Sequence, residues 1–402
     1  MSKRNQTLYD VAIVGTGPAG CLLAYELARA GWAVLLLEKK RLPRYKTCGG
    51  GLTQRARGLI PFDIENVIED RAHTIRLRVD YQTAFTQAQP SPAVHLVMRD
   101  RLDDCLAQHA VANGAVLLDQ TRFLSLSGPP GNLTIQTSAG SFRARVIVGA
   151  DGVHSRVARV MQLPIKYRLM PALEAELIVP PATLSRFAGT IYFDFGVTPG
   201  GYAWLFPKKN HLSAGILARR RSAKQLKPHF FQYLTKNGLR RETDIRSLRL
   251  HSIPCRPDCR NRYADQRGLI VGDGTGLVDP VTGEGIYYAL KSACIAAVAI
   301  KMHLKRRQPL THHYNRDIKM EIESEILRAD ILARILYSFP AFSNRVLKNY
   351  GAKIGAKHMA VYLGAMTYRQ LFNYVLSPKG VAYLLRPAGK SDRSDDQPLP
   401  TA

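Results

Sequence analysis

The sequence predicts an α/β fold that combines a dinucleotide-binding domain with an antiparallel β-sheet domain and C-terminal helices. Three observations predict it. Residues 8–38 follow a strand, glycine turn, helix, strand pattern. Two later apolar strands, at residues 146–148 and 268–271, lead into Asp-Gly or Gly-Asp turns, and the stretch between them is rich in aromatic and strand-forming residues. A composition of 46% hydrophobic and 22% charged residues excludes disordered, collagen-like and disulfide-framework classes.

The first pattern is a βαβ unit that ends in an acidic residue. Residues 8–14 form a mostly apolar run, residues 21–30 have helical composition, and residues 33–37 form a second apolar run. The turn after the first run consists of Gly15, Thr16, Gly17, Pro18, Ala19 and Gly20, and the second run ends at Glu38. Glycines in this spacing, between a strand and a helix and followed by an acid, are typical of a dinucleotide-binding turn.

Each glycine of the turn has a physical role in that interpretation. Gly15 makes the tight turn, Gly17 lets a pyrophosphate approach the backbone, and Gly20 lets the helix pack closely on the strand. The helix N-terminus offers free N–H groups to the phosphates. Glu38 would accept a hydrogen bond from a free ribose hydroxyl, which favours NAD or FAD over NADP.

Further along the chain, the pattern predicts a second domain inserted into the first. Residues 74–97 are typical of a hairpin, residues 101–113 of a helix, and residues 167–253 of an antiparallel sheet with a helix near 222–238. We therefore predict a discontinuous dinucleotide-binding domain at 1–73, 98–166 and 254–305, a sheet domain at 74–97 and 167–253, a helical region at 306–388, and a disordered tail at 389–402.

The chain is strongly basic, with 57 Lys and Arg against 31 Asp and Glu and a formal charge of +26. Most of the excess lies in residues 205–262 and 301–402, where Arg219 to Arg221, Arg240 with Arg241, and Lys305 to Arg307 form basic runs. These runs are either solvated faces or sites for an anionic partner such as a phosphorylated substrate or an acidic membrane surface. Nucleic acid is disfavoured because no recognised binding module accompanies the charge.

The cysteines and the N-terminus predict a cytoplasmic protein whose membrane contact, if it has any, is peripheral. The 6 cysteines are scattered without disulfide-framework spacing, and no signal-peptide core precedes the first strand. The longest apolar window, residues 292–304, contains Lys301 and His303 and is too short to span a bilayer. No metal site is expected. His251, Cys255 and Cys259 lie four residues apart, but no second ligand pair with zinc spacing accompanies them.

Several segments in a fixed order resemble the geranylgeranyl reductase family of FAD-dependent oxidoreductases, within the larger group that includes the aromatic hydroxylases. The matching segments are Pro43 to Gly51, Arg99 at a helix start, Gly149 to Arg159, and Gly272 to Gly285. A further segment, similar to the one that lines the prenyl site in that family, contains Tyr202, Trp204, Phe206, Pro207 and Gly215. It departs from the family pattern at Leu217, where a second glycine is common.

This resemblance implies a Rossmann-like FAD-binding domain of the glutathione-reductase type. It implies that FAD is bound by Gly15, Gly17, Pro18, Ala19, Gly20, Glu38, Lys39, Cys48, Gly49, Arg99, Asp151, Gly152, Asp273, Gly283, Gly285 and Ile286. The implied substrate is a prenyl diphosphate or a prenylated lipid or pigment, and the implied electron donor is NAD(P)H or a ferredoxin. Reduced FAD would add hydride to an alkene carbon while a proton reaches the other, and Tyr45 and Cys48 are the candidate catalytic residues.

Two alternatives to this interpretation stay open at this point. A flavin monooxygenase or a quinone-linked dehydrogenase has the same fold. The segment Thr282-Gly283-Glu284-Gly285-Ile286 resembles the motif of the prenyl reductases rather than that of the hydroxylases, which disfavours the monooxygenase. The sequence has no iron–sulfur cysteine cluster, which disfavours the quinone-linked dehydrogenase. Tyr202, Trp204 and Phe206 alternate on a strand and therefore share a face, either as a substrate wall or as ordinary core residues of a sheet.

Overall fold

The computed structural model describes residues 7–240 and 244–378, which form three sheets and a set of helices. The strands are β1 Leu8–Val14, β2 Val34–Leu37, β3 Gly51–Thr53, β4 Ile68–Ala72, β5 Thr74–Val79, β6 Gln82–Ala88, β7 Val94–Val97, β8 Val116–Leu118, β9 Phe123–Ser127, β10 Leu133–Thr137, β11 Gly140–Gly149, β12 Arg168–Ile178, β13 Thr190–Phe195, β14 Tyr202–Pro207, β15 Leu212–Leu217, β16 Asp244–Cys255 and β17 Gly268–Ile270. The helices are α1 Pro18–Ala28, α2 Gln54–Arg57, α3 Arg99–Ala112, α4 Arg156–Val160, α5 Pro181–Ser185, α6 Leu226–Lys236, α7 Ile286–Arg306, α8 Leu310–Ile318, α9 Ser324–Ser338, α10 Pro340–Leu363 and α11 Tyr368–Leu376.

The first sheet contains the predicted βαβ unit. Its order is β8-β2-β1-β11-β10-β9, and β17 pairs in parallel with β11. Strands β8, β2, β1 and β11 are parallel, so their carboxyl ends meet at the same edge. The apolar faces of α1 and α7 pack on this sheet, where Leu22, Leu23 and Leu290 are fully buried. The α/β fold with a dinucleotide-binding sheet is confirmed.

The second sheet is built from the aromatic segment and has the order β16-β12-β15-β14-β13-β5-β6. All its pairs are antiparallel except β5 with β13. One face packs against α6, where Phe230 and Tyr233 are buried. The opposite face, which carries Tyr202, Trp204 and Phe206, packs against the C-terminal helices α9 to α11. We call this second surface the aromatic face.

A third, small sheet connects the two larger ones and was not predicted. It has the order β3-β7-β4, so residues 94–97 pair with residues 51–53 and 68–72 and leave the hairpin in which the sequence pattern placed them. Strand β16 runs on to Cys255 within the second sheet. The exact domain boundaries at 73, 97, 166, 253 and 305 stay a prediction.

The C-terminal helices are tied to the rest of the protein by buried tyrosines. Tyr368 at the start of α11 donates a hydrogen bond to Asp279 Oδ2 at 2.6 Å, and Tyr337 on α9 donates to the Val281 carbonyl at 2.6 Å. Within residues 7–240 and 244–378, no helix is long and apolar enough to cross a membrane. Arg241 and the tail predicted at 389–402 lie outside the described residues, as does the end of the region predicted to be helical.

Candidate functional site

The glycine turn between β1 and α1 has the close contacts that its spacing predicts. Gly15 has φ +112, and a Cβ there would lie 2.3 Å from the Ala150 carbonyl oxygen. A Cβ at Gly20 would lie 2.0 Å from the Gly15 carbonyl oxygen. At Gly17, by contrast, the nearest atom to an added Cβ is an Arg99 nitrogen at 3.9 Å, so space remains open beside the turn. Helix α1 begins at Pro18 without a side-chain cap, which leaves its first N–H groups available to an anion.

Glu38 lies at the end of β2, buried beside this turn. Its Oε2 accepts hydrogen bonds from the Thr16 hydroxyl at 2.7 Å and from Arg44 Nε at 3.0 Å. Its Oε1 accepts from the Lys40 backbone N–H at 3.0 Å. Burial alone would raise the pKa of Glu38, but the Arg44 guanidinium and these hydrogen bonds lower it. The carboxylate is therefore held ionised and in place. The neighbouring Lys39 is exposed.

Two arginines converge on one buried carboxylate next to Glu38. Asp103 on α3 accepts from Arg99 Nε at 2.8 Å and from Arg44 Nη1 at 3.0 Å, and its side chain is fully buried. Burial would lower the pKa of Arg99, but Asp103 and the Cys48 side chain raise it further above its usual range. With two guanidinium groups around Asp103 and Glu38 close by, the charges at the mouth of the glycine turn are balanced before any ligand binds.

A second basic group, Lys46, lies between the first sheet and the aromatic face. Lys46 Nζ is 2.8 Å from His251 Nε2 on β16. Burial and the nearby Arg99 charge lower the pKa of Lys46, while Asp273 opposes that shift. Burial and the Lys46 charge lower the pKa of His251 to about 4, so the imidazole is neutral at pH 7. Arg99 and Asp273 thus both lie close enough to Lys46 to act on it electrostatically.

The segment Gly272 to Gly285 brings the chain back to the glycine turn. A Cβ at Gly272 would lie 3.3 Å from Ala19 Cβ, so the β17 turn touches the start of α1. A Cβ at Gly285 would lie 3.2 Å from Asp273 Oδ1. Helix α7 begins at the buried Ile286 with no side-chain cap, as α1 does at Pro18. The uncapped N-termini of α1 and α7 therefore both lie next to the turn after β17, with Asp273 beside the second of them.

Glu284, in the same motif, has a structural partner that the sequence did not reveal. Its carboxylate is buried and accepts a hydrogen bond from the Thr53 hydroxyl at 2.6 Å. It also forms an ion pair with Arg55, whose guanidinium stacks on the Tyr287 ring at 4.1 Å. These contacts fix the loop that contains Gly283 between β3 and α7, so the acid of this motif is used for packing.

The segment Gly149 to Arg159 lies directly beside the glycine turn, where Ala150 faces Gly15. Asp151 Oδ1 accepts from the Ser155 hydroxyl at 2.5 Å, and Oδ2 accepts from the Arg156 backbone N–H at 2.6 Å. Asp151 thereby holds the start of α4. Gly152 has φ +83, a conformation that favours glycine, and an added Cβ would meet no atom within 4 Å. Contact of Asp151 and Gly152 with a cofactor stays a prediction.

The segment that includes Cys48 lies across the aromatic face; we call residues 43–51 the motif loop. A Cβ at Gly49 would lie 2.9 Å from Trp204 Nε1 and 3.1 Å from Phe206 Cδ2. The Trp204 N–H is buried and has no hydrogen-bond partner in the described part of the chain. An unpaired buried donor is uncommon and marks a place where a ligand can accept a hydrogen bond. Cys48 itself is half-buried, and its Sγ accepts from the Gly50 N–H at 3.4 Å.

The predicted substrate residues share one surface. Trp204 pairs with Gly215 across β14 and β15, and a Cβ at Gly215 would lie 2.0 Å from the indole ring, so the missing side chain makes room for Trp204. Tyr202 donates a hydrogen bond to the Thr282 carbonyl. Pro207 ends β14. All these rings belong to a buried apolar cluster with the C-terminal helices, so the substrate-wall role of Tyr202, Trp204 and Phe206 stays a prediction.

Sequence analysis missed three buried charged residues on this surface. Glu174 and Glu176 on β12 and Lys208 after β14 are at most 7% exposed, and all lie near the motif loop. Tyr45 in that loop is hydrogen-bonded to both glutamates. The available signal was the alternation of Glu with Ala and Leu inside an apolar strand, which places two acids on one sheet face.

These groups fit FAD by the chemistry of their donors. The open space at Gly17 and the two uncapped helix N-termini suit a pyrophosphate, and Lys46 adds a positive charge close to Arg99 and Asp273. The ionised Glu38 suits a ribose diol. The Trp204 N–H, which has no partner in the described part of the chain, is a donor that a ligand atom could use.

Comparisons with known proteins agree with this fit. A family model described as FAD binding domain matches residues 8–323. The chain is 33% identical over 314 residues to an uncharacterized protein of Methanosarcina barkeri, covering 77% of this chain and 80% of that one. It is 30% identical over 312 residues to the geranylgeranyl diphosphate reductase of Rhodobacter capsulatus, covering 75% and 77%.

A solved structure, that of a geranylgeranyl bacteriochlorophyll reductase-like protein from Thermoplasma acidophilum, has the same fold. It aligns with a TM-score of 0.75 and 21% identity over 94% of this chain and 96% of that one. FAD is therefore the cofactor, as the sequence motifs predicted. Because the family model and the Rhodobacter relative both match well over two thirds of its length, the chain belongs to the geranylgeranyl reductase family of FAD-dependent oxidoreductases.

Proposed function

We propose that this flavoprotein reduces carbon–carbon double bonds of a geranylgeranyl group. The observation that carries the proposal is the contact between the motif loop and the aromatic face, where Gly49 lies against the rings of Trp204 and Phe206. This contact joins the FAD-binding half of the protein to a row of apolar rings. An isoprenoid chain is recognised by such rings, since it has no polar groups to bind along its length.

Bound FAD, once reduced, supplies the hydride for one alkene carbon, and the protein supplies the rest. The chain's residues have three tasks in this proposal. Tyr202, Trp204 and Phe206 hold the prenyl chain and exclude water, while the half-buried Cys48 contacts the reacting region. Tyr45 donates the proton for the second carbon. Exposed basic groups hold the diphosphate or phosphate of the carrier.

The test is an anaerobic single turnover. The purified yellow protein is reduced with dithionite and mixed with geranylgeranyl diphosphate, and both flavin absorbance and product mass are followed. We expect the flavin to reoxidise without oxygen and the product to gain two hydrogens per turnover. Phytanyl diphosphate, which has no double bond, is the control and leaves the flavin reduced.

Other outcomes separate the alternatives. If only a chlorophyll-type ester or an archaeal-type ether lipid reoxidises the flavin, that carrier replaces the diphosphate. Flavin that stays reduced with every prenyl substrate until air is admitted contradicts the reductase and supports a monooxygenase. Repeating the reduction with NADH, NADPH or reduced ferredoxin in place of dithionite identifies the electron donor.

We also propose that the protein works in the cytoplasm, at the surface of an anionic membrane where prenyl lipids reside. The charge of +26 supports electrostatic attraction to such a surface. Ile331 and Ile335 on α9, Phe339 between the helices and Phe342 on α10 are exposed apolar residues that follow one another at intervals of three or four positions. The guanidinium of Arg334 on α9, 59% exposed, lies within this region of the chain. We call these five residues the α9–α10 patch.

A further inference from the structure

Strand β12 brings two carboxyl groups to the surface on which the prenyl chain would lie. Glu174 and Glu176 are separated by one residue, so they point to the same side of the strand, and they are only 2% and 7% exposed. Glu174 pairs with Gly215 on β15, and Gly215 pairs with Trp204 on β14. Residues directly opposite in antiparallel strands share a face, so both carboxyls belong to the aromatic face.

The hydroxyl of Tyr45 connects these carboxyls to the motif loop. Its oxygen is 3.2 Å from Glu174 Oε1 and 3.5 Å from Glu176 Oε1. A phenol has a single hydrogen and donates it to one carboxylate at a time. The second contact is satisfied when the other glutamate is protonated and donates its own hydrogen to the tyrosine oxygen. The three groups are therefore arranged to hold one proton between two carboxyls through a phenol.

Charged groups from every neighbouring element surround the two carboxyls. Lys208 follows β14, but its ammonium group donates to the Gly49 and Val97 carbonyls, at 2.8 Å each. His211, at the turn before β15, has Nε2 3.1 Å from Glu176 Oε2. Arg249 on β16 stacks its guanidinium on the Tyr45 ring at 4.5 Å, and Lys46 of the motif loop lies close enough to act on Glu174 electrostatically.

These surroundings favour a protonated Glu174. Burial and the charge of Glu176 raise the pKa of Glu174 to about 8, although the Tyr45 hydrogen bond, Lys208 and Lys46 act in the opposite direction. A carboxyl that keeps its proton near neutral pH is suited to be a general acid.

We propose that Glu174 and Glu176 store the proton that Tyr45 delivers during alkene reduction. The inference rests on the reductase function proposed above. When bound and reduced, FAD would supply the hydride, with both electrons, for one C–H bond, and the π electrons of the alkene would form the second C–H bond with the proton of Tyr45 Oη. The carboxylic acid of Glu174 then returns a proton to the tyrosine oxygen, and water reprotonates the pair. Tyr45 is the proton donor, and the glutamates act through it.

The first test measures the stored proton in the oxidised, FAD-loaded protein, without turnover. Infrared spectroscopy of the protonated carboxyl C=O stretch is recorded from pH 6 to pH 10 for wild type and for Glu174→Gln, Tyr45→Phe and Ser213→Ala. Ser213 is the matched control, because it is buried opposite Glu176 on β15 and takes no part in the store. We expect a carboxylic-acid band that disappears as the pH rises through about 8, persists in Tyr45→Phe and Ser213→Ala, and is absent from Glu174→Gln.

The second test measures proton delivery in the anaerobic single turnover. At pH 7, Glu174→Gln and Tyr45→Phe are expected to reoxidise reduced flavin about 100-fold more slowly than wild type, the typical contribution of a general acid. The wild-type rate falls as the pH rises through about 8, and this dependence is lost in Glu174→Gln. The affinity of Glu174→Gln and Tyr45→Phe for the prenyl substrate is expected to stay close to that of wild type. The flavin reoxidation rate of Ser213→Ala is also expected to stay close to the wild-type rate.

The two tests fail in different ways. Wild-type flavin that no prenyl substrate reoxidises contradicts the reductase function, and the infrared band then decides alone whether the proton store exists. Wild-type turnover that Glu174→Gln and Tyr45→Phe retain at full rate, with an unchanged pH profile, overturns the inference while the reductase function stands. A wild-type spectrum with no carboxylic-acid band also overturns it.

Discussion

At the scale of single residues, Lys208 holds the motif loop from the neighbouring sheet. Its ammonium group is buried and hydrogen-bonded to the Gly49 and Val97 carbonyls. A Cβ at Gly50 would lie 2.5 Å from Lys208 Nζ and 1.9 Å from the Val97 carbonyl, so the loop backbone approaches both very closely. Lys208, which follows β14 of the second sheet, therefore links the motif loop to β7 of the third sheet.

Replacing Lys208 with Met is expected to weaken FAD binding. The substitution removes the donor to two carbonyls and loosens the motif loop, so FAD binding has to order the loop as well; we expect the FAD dissociation constant to rise about tenfold. Lys209→Met is the control, because Lys209 is the next residue and is exposed. Titration of the apoprotein with FAD, followed by flavin fluorescence, measures both. Equal dissociation constants for the two variants would show that Lys208 does not support the loop.

Glu174 gives a prediction for stability against pH. Its pKa in the folded protein is raised to about 8, so between the ordinary glutamate value and that pH the folded state binds more protons than the unfolded state. Stability from this group is present at low pH and is lost as the pH rises. Thermal unfolding from pH 5 to pH 9 is therefore expected to favour Glu174→Gln over wild type increasingly at higher pH. A constant difference in melting temperature would contradict the raised pKa.

Residues differ in how well the sequence predicts them. The glycines at positions 15, 17 and 20 were predictable because their roles are local and depend on chain geometry that any strand–turn–helix unit shares. The partners of Arg44, Tyr45 and Lys208 were not, because each contact joins segments far apart along the chain. Glu284 illustrates the limit: its motif was recognised, but its ion pair with Arg55 depends on how α2 packs.

At the scale of elements, strands β14 and β15 fit together because one cross-strand pair combines a large residue, Trp204, with a small one, Gly215. The indole of Trp204 occupies the space that a side chain at Gly215 would take. Close-packed interiors do not accommodate added atoms without displacement. The orientation of Trp204 on the aromatic face is thus set by a residue on the neighbouring strand.

Gly215→Ala is expected to displace Trp204 and to cost about 1–3 kcal/mol of unfolding free energy. The change should also shift the tryptophan fluorescence, because Trp204 is one of the 2 tryptophans of the chain; the other is Trp32. Gly58→Ala is the matched control, since a Cβ there would make an ordinary contact at 3.6 Å. Denaturant unfolding monitored by fluorescence measures both variants. Gly215→Ala with the stability and emission of Gly58→Ala would mean that the strands separate at no cost.

The elements of the fold were predicted unequally as well. The strands and helices of residues 8–37, the helix after residue 98 and the strands before the Asp-Gly and Gly-Asp turns were visible because their hydrophobic periodicity is strong. The small sheet of β3, β4 and β7 was not, because its strands are short and because β3 and β7 pair across at least 40 intervening residues. Such pairing is decided by tertiary packing rather than by local pattern.

At the scale of the whole molecule, the charge of +26 and the α9–α10 patch make the proposed binding to an anionic membrane testable. Binding to vesicles that contain anionic lipid is expected to weaken steeply as salt is raised, because exposed basic groups are screened. Phe339→Ser with Phe342→Ser should reduce the binding that remains at high salt, whereas Leu250→Ser, which changes an exposed residue on β16, should not. Co-sedimentation measures all three. Equal binding to neutral and anionic vesicles would contradict the electrostatic part.

The order of the strands has a consequence for how the protein is made. Strand β11 lies between β1, from the start of the chain, and β17, whose last residue is Ile270. During synthesis, the first sheet cannot be completed until the ribosome has released the entire aromatic segment and β17 behind it. Pairings between such distant segments form slowly. Residues 147–149 of β11 therefore keep an unpaired edge, exposed to aggregation, until residues 268–270 have been made.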